Sequence, residues 1–168
     1  MKIRLAGLVN DSIVDGPGFR YTVFTQGCPH GCPECHNPET HDMKGGRLID
    51  TEEVIEQLGK NPLVRGVTLS GGEPMMQAEA LCEIADAAKG KGLSVWCYTG
   101  FTLEALLQEN REDRVRLLSL CDVLVDGPFV ASLRSLDLLY CGSSNQRLID
   151  LPASLAAGEA RLYVPPEW

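Results

Sequence analysis

The feature that most restricts how this chain can fold is a group of three cysteines in the segment QGCPHGCPECHN. Cys28, Cys32 and Cys35 form a C-x3-C-x2-C arrangement within a stretch rich in glycine and proline. Such a stretch can wrap tightly around a small object, but it cannot form a regular helix. Thiolates are soft ligands that bind zinc or the irons of an iron–sulfur cluster. The segment therefore predicts a loop that surrounds a metal ion or an iron–sulfur cluster.

Three cysteines leave one ligand position open in either kind of site. A structural zinc site takes four protein ligands, and a distant cysteine or one of three histidines could be the fourth: His30, His36 or His41. A cubane [4Fe-4S] cluster has four irons, so three thiolates would leave one iron free for a substrate or cofactor. A thiol redox protein could instead use Cys32 and Cys35, although Pro33 and the upstream Cys28 argue against it.

The charge of the chain and the length of its apolar runs exclude several classes of function. Its 168 residues carry 15 Lys plus Arg against 23 Asp plus Glu, a formal charge of −8, which disfavours nucleic-acid phosphates and anionic lipid as partners. No apolar run approaches the roughly 20 residues that span a bilayer, and the first residues lack the regions of a signal peptide. We therefore expect a cytoplasmic protein with no nucleic-acid or membrane partner. The 44% hydrophobic content predicts one domain over residues 1–168.

Strand-like and helix-like segments alternate along the chain, which predicts an α/β fold of mostly parallel strands. Strands are expected at 20–26, 66–70, 93–98 and 121–126, with weaker candidates at 146–149 and 161–164. Helices are expected at 51–60, 78–89 and 102–120, the last with a break near Asn110. A closed eight-stranded barrel normally takes about 200 residues or more, so five or six strands predict an incomplete, open (β/α) barrel.

The segments with chemical character follow predicted strands. The cysteine group, the glycine pair at 71–72, and the turns at 99–100 and 126–127 each come directly after one. In parallel sheets, ligands bind at the carboxyl ends of the strands. These four features are therefore expected on one face of the molecule.

The cysteine spacing and the later sequence SGGEP resemble the two signatures of the radical S-adenosylmethionine superfamily. The resemblance implies that Cys28, Cys32 and Cys35 hold three irons of a [4Fe-4S] cluster and carry the electron path, while S-adenosylmethionine chelates the fourth iron. Glycines let a backbone approach a ligand closely, and a carboxylate can accept hydrogen bonds from an ammonium. The resemblance assigns cofactor contacts to Glu34, His36, Gly71, Gly72, Glu73 and Asp126.

Further motifs resemble activating proteins of glycyl radical enzymes, most closely those that serve anaerobic ribonucleoside-triphosphate reductase. These motifs are VDGPGFR at Val14 to Arg20, CHN at Cys35 to Asn37, DVLVDGPF, and GSSNQR at Gly142 to Arg147. The resemblance implies reductive cleavage of S-adenosylmethionine to methionine and a 5′-deoxyadenosyl radical, which generates a glycyl radical on the large reductase subunit. It also implies a one-electron donor such as a flavodoxin or ferredoxin.

Two alternatives to this assignment stay open at the level of sequence. One is an activase of pyruvate formate-lyase or of another glycyl radical enzyme, and the other is a non-catalytic zinc or iron–sulfur adaptor. The turn-rich segment Asp15 to Arg20, which lies close to the cysteine group in sequence, is a candidate docking edge for a protein partner.

Overall fold

The computed structural model describes residues 1–13, 16–32, 35 and 38–164. Within them, seven strands form one sheet: β1 (Lys2–Ser12), β2 (Phe19–Thr25), β3 (Arg47–Asp50), β4 (Val64–Gly71), β5 (Ser94–Tyr98), β6 (Val123–Asp126) and β7 (Arg147–Asp150). The α-helices are α1 (Thr51–Gln57), α2 (Ala78–Gly90), α3 (Leu103–Glu109), α4 (Glu112–Leu120) and α5 (Leu151–Ala157). No helix in the described ranges is both long enough and apolar enough to cross a membrane.

The sheet is open, with strand order β3-β1-β2-β4-β5-β6-β7. The four strands β2, β4, β5 and β6 are parallel neighbours, whereas β1, β3 and β7 pair antiparallel at the two edges. The predicted open α/β architecture is confirmed. The antiparallel edge strands β1 and β3 were not predicted, because β1 is interrupted by Gly7 and by two register shifts that blur its alternation.

The main core lies between the sheet and its helices. Val67 and Leu69 of β4 and Val95 of β5 point to this core, and α2 contributes Leu81 and Ile84. Alternate residues face the other side of the sheet, where Trp96, Val123 and Val125 pack with Tyr140 and Tyr163 from the later part of the chain. Both faces of the central strands are therefore covered.

Local signals account for the helix ends near the carboxyl half of the chain. The expected break near Asn110 is present, because this residue ends α3 in the left-handed conformation at φ 52°. Helix α5 was not predicted, although its sequence carries the usual signals. Asp150 caps it by accepting from Ala153 N, Pro152 stands in its first turn and Gly158 ends it at φ 73°. The weak strand expected at 161–164 is only an isolated bridge between Ile149 and Leu162.

The parallel strands place several loops at one edge of the sheet. The segments that follow β2, β4, β5 and β6 all begin at carboxyl ends, as the sequence predicted. The docking edge expected at Asp15 to Arg20 stays a prediction, and the structure places the described start of this segment at the opposite end of β2 from the cysteine loop. Gly16 to Gly18 precede β2, and the cysteine loop follows its other end, so a seven-residue strand separates them by about 20 Å. Asp15 lies outside the described residues.

Candidate cluster and cofactor site

A cavity of about 550 Å³ opens at the carboxyl ends of the central strands. Cys28, Cys32 and Cys35 line one side of it together with Ser70, Gly71 and Gly72, and all three cysteines are free thiols. The segment after β6, which lies beyond β5 in the strand order, lines the same cavity through residues that include Phe129, Leu136 and Tyr140. The structure thus brings two of the sequence motifs, the cysteine group and the SGG turn, to one cavity.

The donor groups at this cavity fit an iron–sulfur cluster. Three thiols face one space, and the buried Nε2 of His41, another lining residue, has no hydrogen-bond partner among the described residues. Within the same residues, no three His, Cys, Asp or Glu side chains converge closely enough to hold one metal ion. Cluster thiolates bind separate irons, so they need not converge on a single point. Burial raises the pKa of Cys28, and cluster assembly would therefore release protons from this loop.

The glycine pair after β4 is required by packing between backbone segments. A Cβ at Gly72 would overlap the carbonyl oxygen of Gly27, at the start of the cysteine loop. Gly71 has φ +100°, and a Cβ there would overlap the backbone of Thr25. Glu73 N also donates to Gly27 O at 2.8 Å. The pair thus lets the turn after β4 contact the cysteine loop, and direct contact of Gly71 and Gly72 with a cofactor stays a prediction.

Glu73 is buried behind the cavity wall, and hydrogen-bond donors of the protein itself occupy both oxygens of its carboxylate. Oε1 accepts from Gly100 N at 2.7 Å and lies 2.6 Å from Nε2 of His30. Oε2 accepts from Met75 N at 2.9 Å, and the Thr99 hydroxyl lies within 3.0 Å of both oxygens. The described residues that line the cavity do not include Glu73. Its predicted contact with a cofactor amino group would therefore require one of these donors to leave.

Asp126 is also buried and internally paired. Its carboxylate accepts from the Arg147 guanidinium at 2.5 and 3.0 Å, and from Leu103 N at the start of α3 at 2.8 Å. Arg147 makes a second, bidentate pair with Glu104 at 2.7 and 2.8 Å. These hydrogen bonds raise the pKa of Arg147 and lower that of Glu104. The predicted contact of Asp126 with the cofactor carboxylate stays a prediction, since Asp126 is likewise not among the described lining residues.

The late motifs DGPF and GSSNQR bind each other. Gln146 Nε2 donates to Gly127 O, and Asn145 Nδ2 donates to Pro128 O. Gln146 Oε1 also accepts from Gly142 N at 2.8 Å, so a hydrogen bond within GSSNQR holds this motif in a turn. We call residues 126–128 and 142–147 the clamp. The clamp joins the two ends of the segment 129–141, several residues of which line the cavity.

The predicted site residues therefore fall into three groups. Cys28, Cys32, Cys35, Gly71 and Gly72 line the cavity. Glu73 and Asp126 lie behind its walls, and Glu34 and His36 lie outside the described residues.

Sequence reasoning missed that His30 and Thr99 bind Glu73. No spacing rule relates positions this far apart in the chain. The one available signal was that a histidine inside the cysteine loop and a polar turn after β5 both stand at the predicted ligand edge.

Comparisons with known proteins agree with the motifs. A family model described as a 4Fe-4S single cluster domain matches residues 14–149. The anaerobic ribonucleoside-triphosphate reductase-activating protein of Escherichia coli (strain K12) is 33% identical over 142 residues, which cover 80% of this chain and 90% of that protein. The protein of the same name from Enterobacteria phage T4 is 31% identical and covers 80% of this chain and 86% of its own length.

Two further similarities cover less of the chain. The pyruvate formate-lyase-activating enzyme of Clostridium pasteurianum is 40% identical over 95 residues, 54% of this chain and 40% of that enzyme. The solved structure of QueE from Escherichia coli has a TM-score of 0.47 and 18% identity over 61% of this chain and 54% of that chain, a likeness too small to bear on function. The family expected from the motifs is confirmed by the first two relatives: this chain belongs to the 4Fe-4S single cluster domain family and, within it, to the anaerobic ribonucleoside-triphosphate reductase-activating proteins.

Proposed function

We propose that this chain activates an anaerobic ribonucleoside-triphosphate reductase by reductive cleavage of S-adenosylmethionine at a [4Fe-4S] cluster. The observation that carries the proposal is the placing of three free thiols and the SGG turn around one cavity. Relatives that cover 80% of this chain are reductase-activating proteins, which supports the same partner. The proposal puts this chemistry in the cytoplasm, where thiols remain reduced.

The role of the protein is to hold and enclose the reacting groups. Cys28, Cys32 and Cys35 would hold the cluster as thiolates, and the backbone at Gly71 and Gly72 would border the methionine end of the cofactor. The bound cluster and S-adenosylmethionine supply the one-electron cleavage and the radical chemistry. Tyr98, Phe129 and Tyr140 line the same cavity, and their aromatic rings would limit the access of water to the bound cofactor.

The partners follow from the same chemistry. The protein substrate would be the large glycyl-radical subunit of the reductase, and the electron would come from a flavodoxin or ferredoxin. Glu34 and His36, next to the last cluster cysteine, stay our candidates for contacts with the adenosyl end of the cofactor.

The cluster assignment is tested by removing single thiols. Cys28→Ala, Cys32→Ala and Cys35→Ala should each abolish the [4Fe-4S] absorbance and the cleavage of S-adenosylmethionine, since each thiolate holds a different iron. Cys82→Ala and Cys121→Ala are matched controls, because these two thiols are buried in the main core. Wild-type protein should contain about four irons and four sulfides per chain. Normal cleavage by the Cys32→Ala protein would overturn the assignment.

The partner is tested by electron paramagnetic resonance of mixtures. Reduced protein with S-adenosylmethionine should produce a glycyl radical on the anaerobic ribonucleotide reductase of the same cell and little or none on a pyruvate formate-lyase. The similarity to a pyruvate formate-lyase-activating enzyme makes that lyase the second candidate. Because both activations would use the same cluster chemistry, the docking surface must discriminate between the partners. A glycyl signal on the lyase alone would make pyruvate formate-lyase, and not the reductase, the partner of this protein.

A further inference from the structure

His30 connects the cysteine loop to the turns that follow β4 and β5. It stands between Cys28 and Cys32, and its Nε2 lies 2.6 Å from Oε1 of Glu73. Backbone hydrogen bonds from Gly27 N to Thr40 O and from Cys28 N to His41 O fix the beginning of the loop. The side chain of His30 extends this fixation to the part of the loop between the first two cysteines.

The protein provides a shaped seat for the His30 ring. A Cβ at Gly100 would lie 2.5 Å from the ring, so the absence of a side chain there makes room for the imidazole. Phe101 meets the ring edge-on at a centroid distance of 4.6 Å. The Arg114 guanidinium lies 5.0 Å from the centre of the Phe101 ring and also donates to Met75 O. Arg114 therefore helps to fix the ring that contacts His30. The position of His30 is therefore built by several segments.

The Glu73 carboxylate leaves no place for a further donor while His30 is present. Its side chain has no exposed surface, and both oxygens are occupied by backbone N–H groups, the Thr99 hydroxyl and the imidazole. A carboxylate offers about four acceptor sites, and the donors at Glu73 fill them. Either a side-chain donor, the imidazole or the Thr99 hydroxyl, leaves when a ligand binds, or the ligand does not contact Glu73.

We propose that His30 is a positioning residue whose hydrogen bond to Glu73 holds the cluster loop in place, and that it stays there when S-adenosylmethionine binds. Glu73 then acts on the cluster through His30, and the amino group of the cofactor finds its acceptors elsewhere on the cavity wall. This inference rests on the proposed function. It differs from the role that the SGGEP resemblance assigns to Glu73, because the carboxylate here supports the loop and does not bind the ligand.

The test measures iron release and cofactor affinity separately. The reconstituted proteins are wild type, His30→Ala, His30→Gln, Glu73→Gln and the His30→Ala/Glu73→Gln double variant. Iron loss to a chelator should be about tenfold faster in His30→Ala, as expected for the loss of a hydrogen bond to a charged group. The double variant should be no faster than the faster single variant, because both changes break one contact. His30→Gln keeps an N–H donor and should restore part of the slow release.

Cofactor binding distinguishes positioning from competition. If His30 only stands in for the amino group of the cofactor, His30→Ala should bind S-adenosylmethionine more tightly than wild type, whereas Glu73→Gln should bind it less tightly. The proposal expects no tightening in His30→Ala. Tighter binding in His30→Ala, or iron release at the wild-type rate, would overturn it.

Two further measurements separate this inference from other failures. Thr102→Ala removes a side-chain hydrogen bond to Ala105 N in the segment that follows the seat, and it should leave iron release unchanged. Circular dichroism of the apoproteins identifies a variant that does not fold, in which case His30→Gln carries the test. A wild-type protein that assembles no cluster would refute the proposed function and this inference with it. A normal wild-type cluster with unchanged release in His30→Ala would refute this inference alone.

Discussion

The two walls of the cavity are each secured by a buried carboxylate, but the two carboxylates have different partners. Glu73, beside the cysteine loop, is held by His30, the Thr99 hydroxyl and backbone N–H groups. Asp126, in the clamp, is held by the permanent cation of Arg147 and by one backbone N–H. Both acids stand in motifs that predict ligand contacts, and both are only 1% exposed. An acidic residue in a ligand-binding motif can thus stabilise the protein around the site through internal hydrogen bonds.

Because the partners differ, the two walls should lose different amounts of stability when one partner of the carboxylate is removed. An unpaired buried charge costs more free energy than an unpaired neutral group. The stability of the clamp should therefore depend strongly on its single cation. Several groups donate to Glu73, so the loss of any one of them should cost less. The free energy of unfolding of variants in the two walls measures this difference.

The largest effect is expected from Arg147→Met. This change leaves the Asp126 carboxylate buried without its cation and should lower the free energy of unfolding by about 3 kcal/mol, the low end for a broken buried pair because Arg147 is partly exposed. Urea unfolding under anaerobic conditions measures it. Adding Asp126→Asn removes the unpaired charge and should recover part of the loss. A smaller loss in Arg147→Met than in Glu73→Gln would abolish the proposed contrast between the walls.

A smaller effect is expected from Glu73→Gln. The amide keeps one acceptor oxygen but places an NH₂ group where a carboxylate oxygen accepted from Met75 N or Gly100 N. The variant should lose about 2 kcal/mol, the range for a hydrogen-bond partner of a charged group. The same urea titration, carried out on the apoprotein, measures this loss. A loss equal to that of Arg147→Met would mean that spreading the donors gives no protection.

Thr99→Val tests one donor of the Glu73 wall alone. Valine has nearly the shape of threonine, so the change removes the hydroxyl that contacts both carboxylate oxygens and accepts from Phe101 N. His30 and the backbone N–H groups remain, and the expected loss is about 1 kcal/mol. Thermal unfolding beside Thr102→Ala, which loses a helix cap of similar size, provides the scale. A loss above that of Glu73→Gln would show that the hydroxyl, and not the carboxylate, organises this wall.

The sequence predicted the local parts of this architecture and not the pairing of the walls. The short apolar runs that form β4, β5 and β6 and the left-handed stop at Asn110 depend on near neighbours, which a sequence pattern records. The meeting of the cysteine loop with the glycine pair followed from the parallel-strand rule. The partners of Glu73 and Asp126 are brought together by the fold, and nothing in either motif says whether its acid faces a ligand or the protein.

The smallest effect is expected at the exposed end of the clamp, where Glu104 pairs with Arg147. Because the Glu104 side chain is 61% exposed, Glu104→Gln should cost about 0.5 kcal/mol at neutral pH. The hydrogen bond from Arg147 holds the pKa of Glu104 below its ordinary value of 4.5. A lowered pKa in the folded state stabilises the protein above the unfolded-state value, and that contribution is lost as the pH falls through the folded-state value. The gap between wild type and Glu104→Gln should therefore be full at neutral pH and shrink below about pH 4.5. Urea unfolding of both proteins from pH 7 down to pH 4 and below measures the gap. A gap that widened on acidification would mean that Glu104 contributes in its protonated form, and that Arg147 is secured by Asp126 alone.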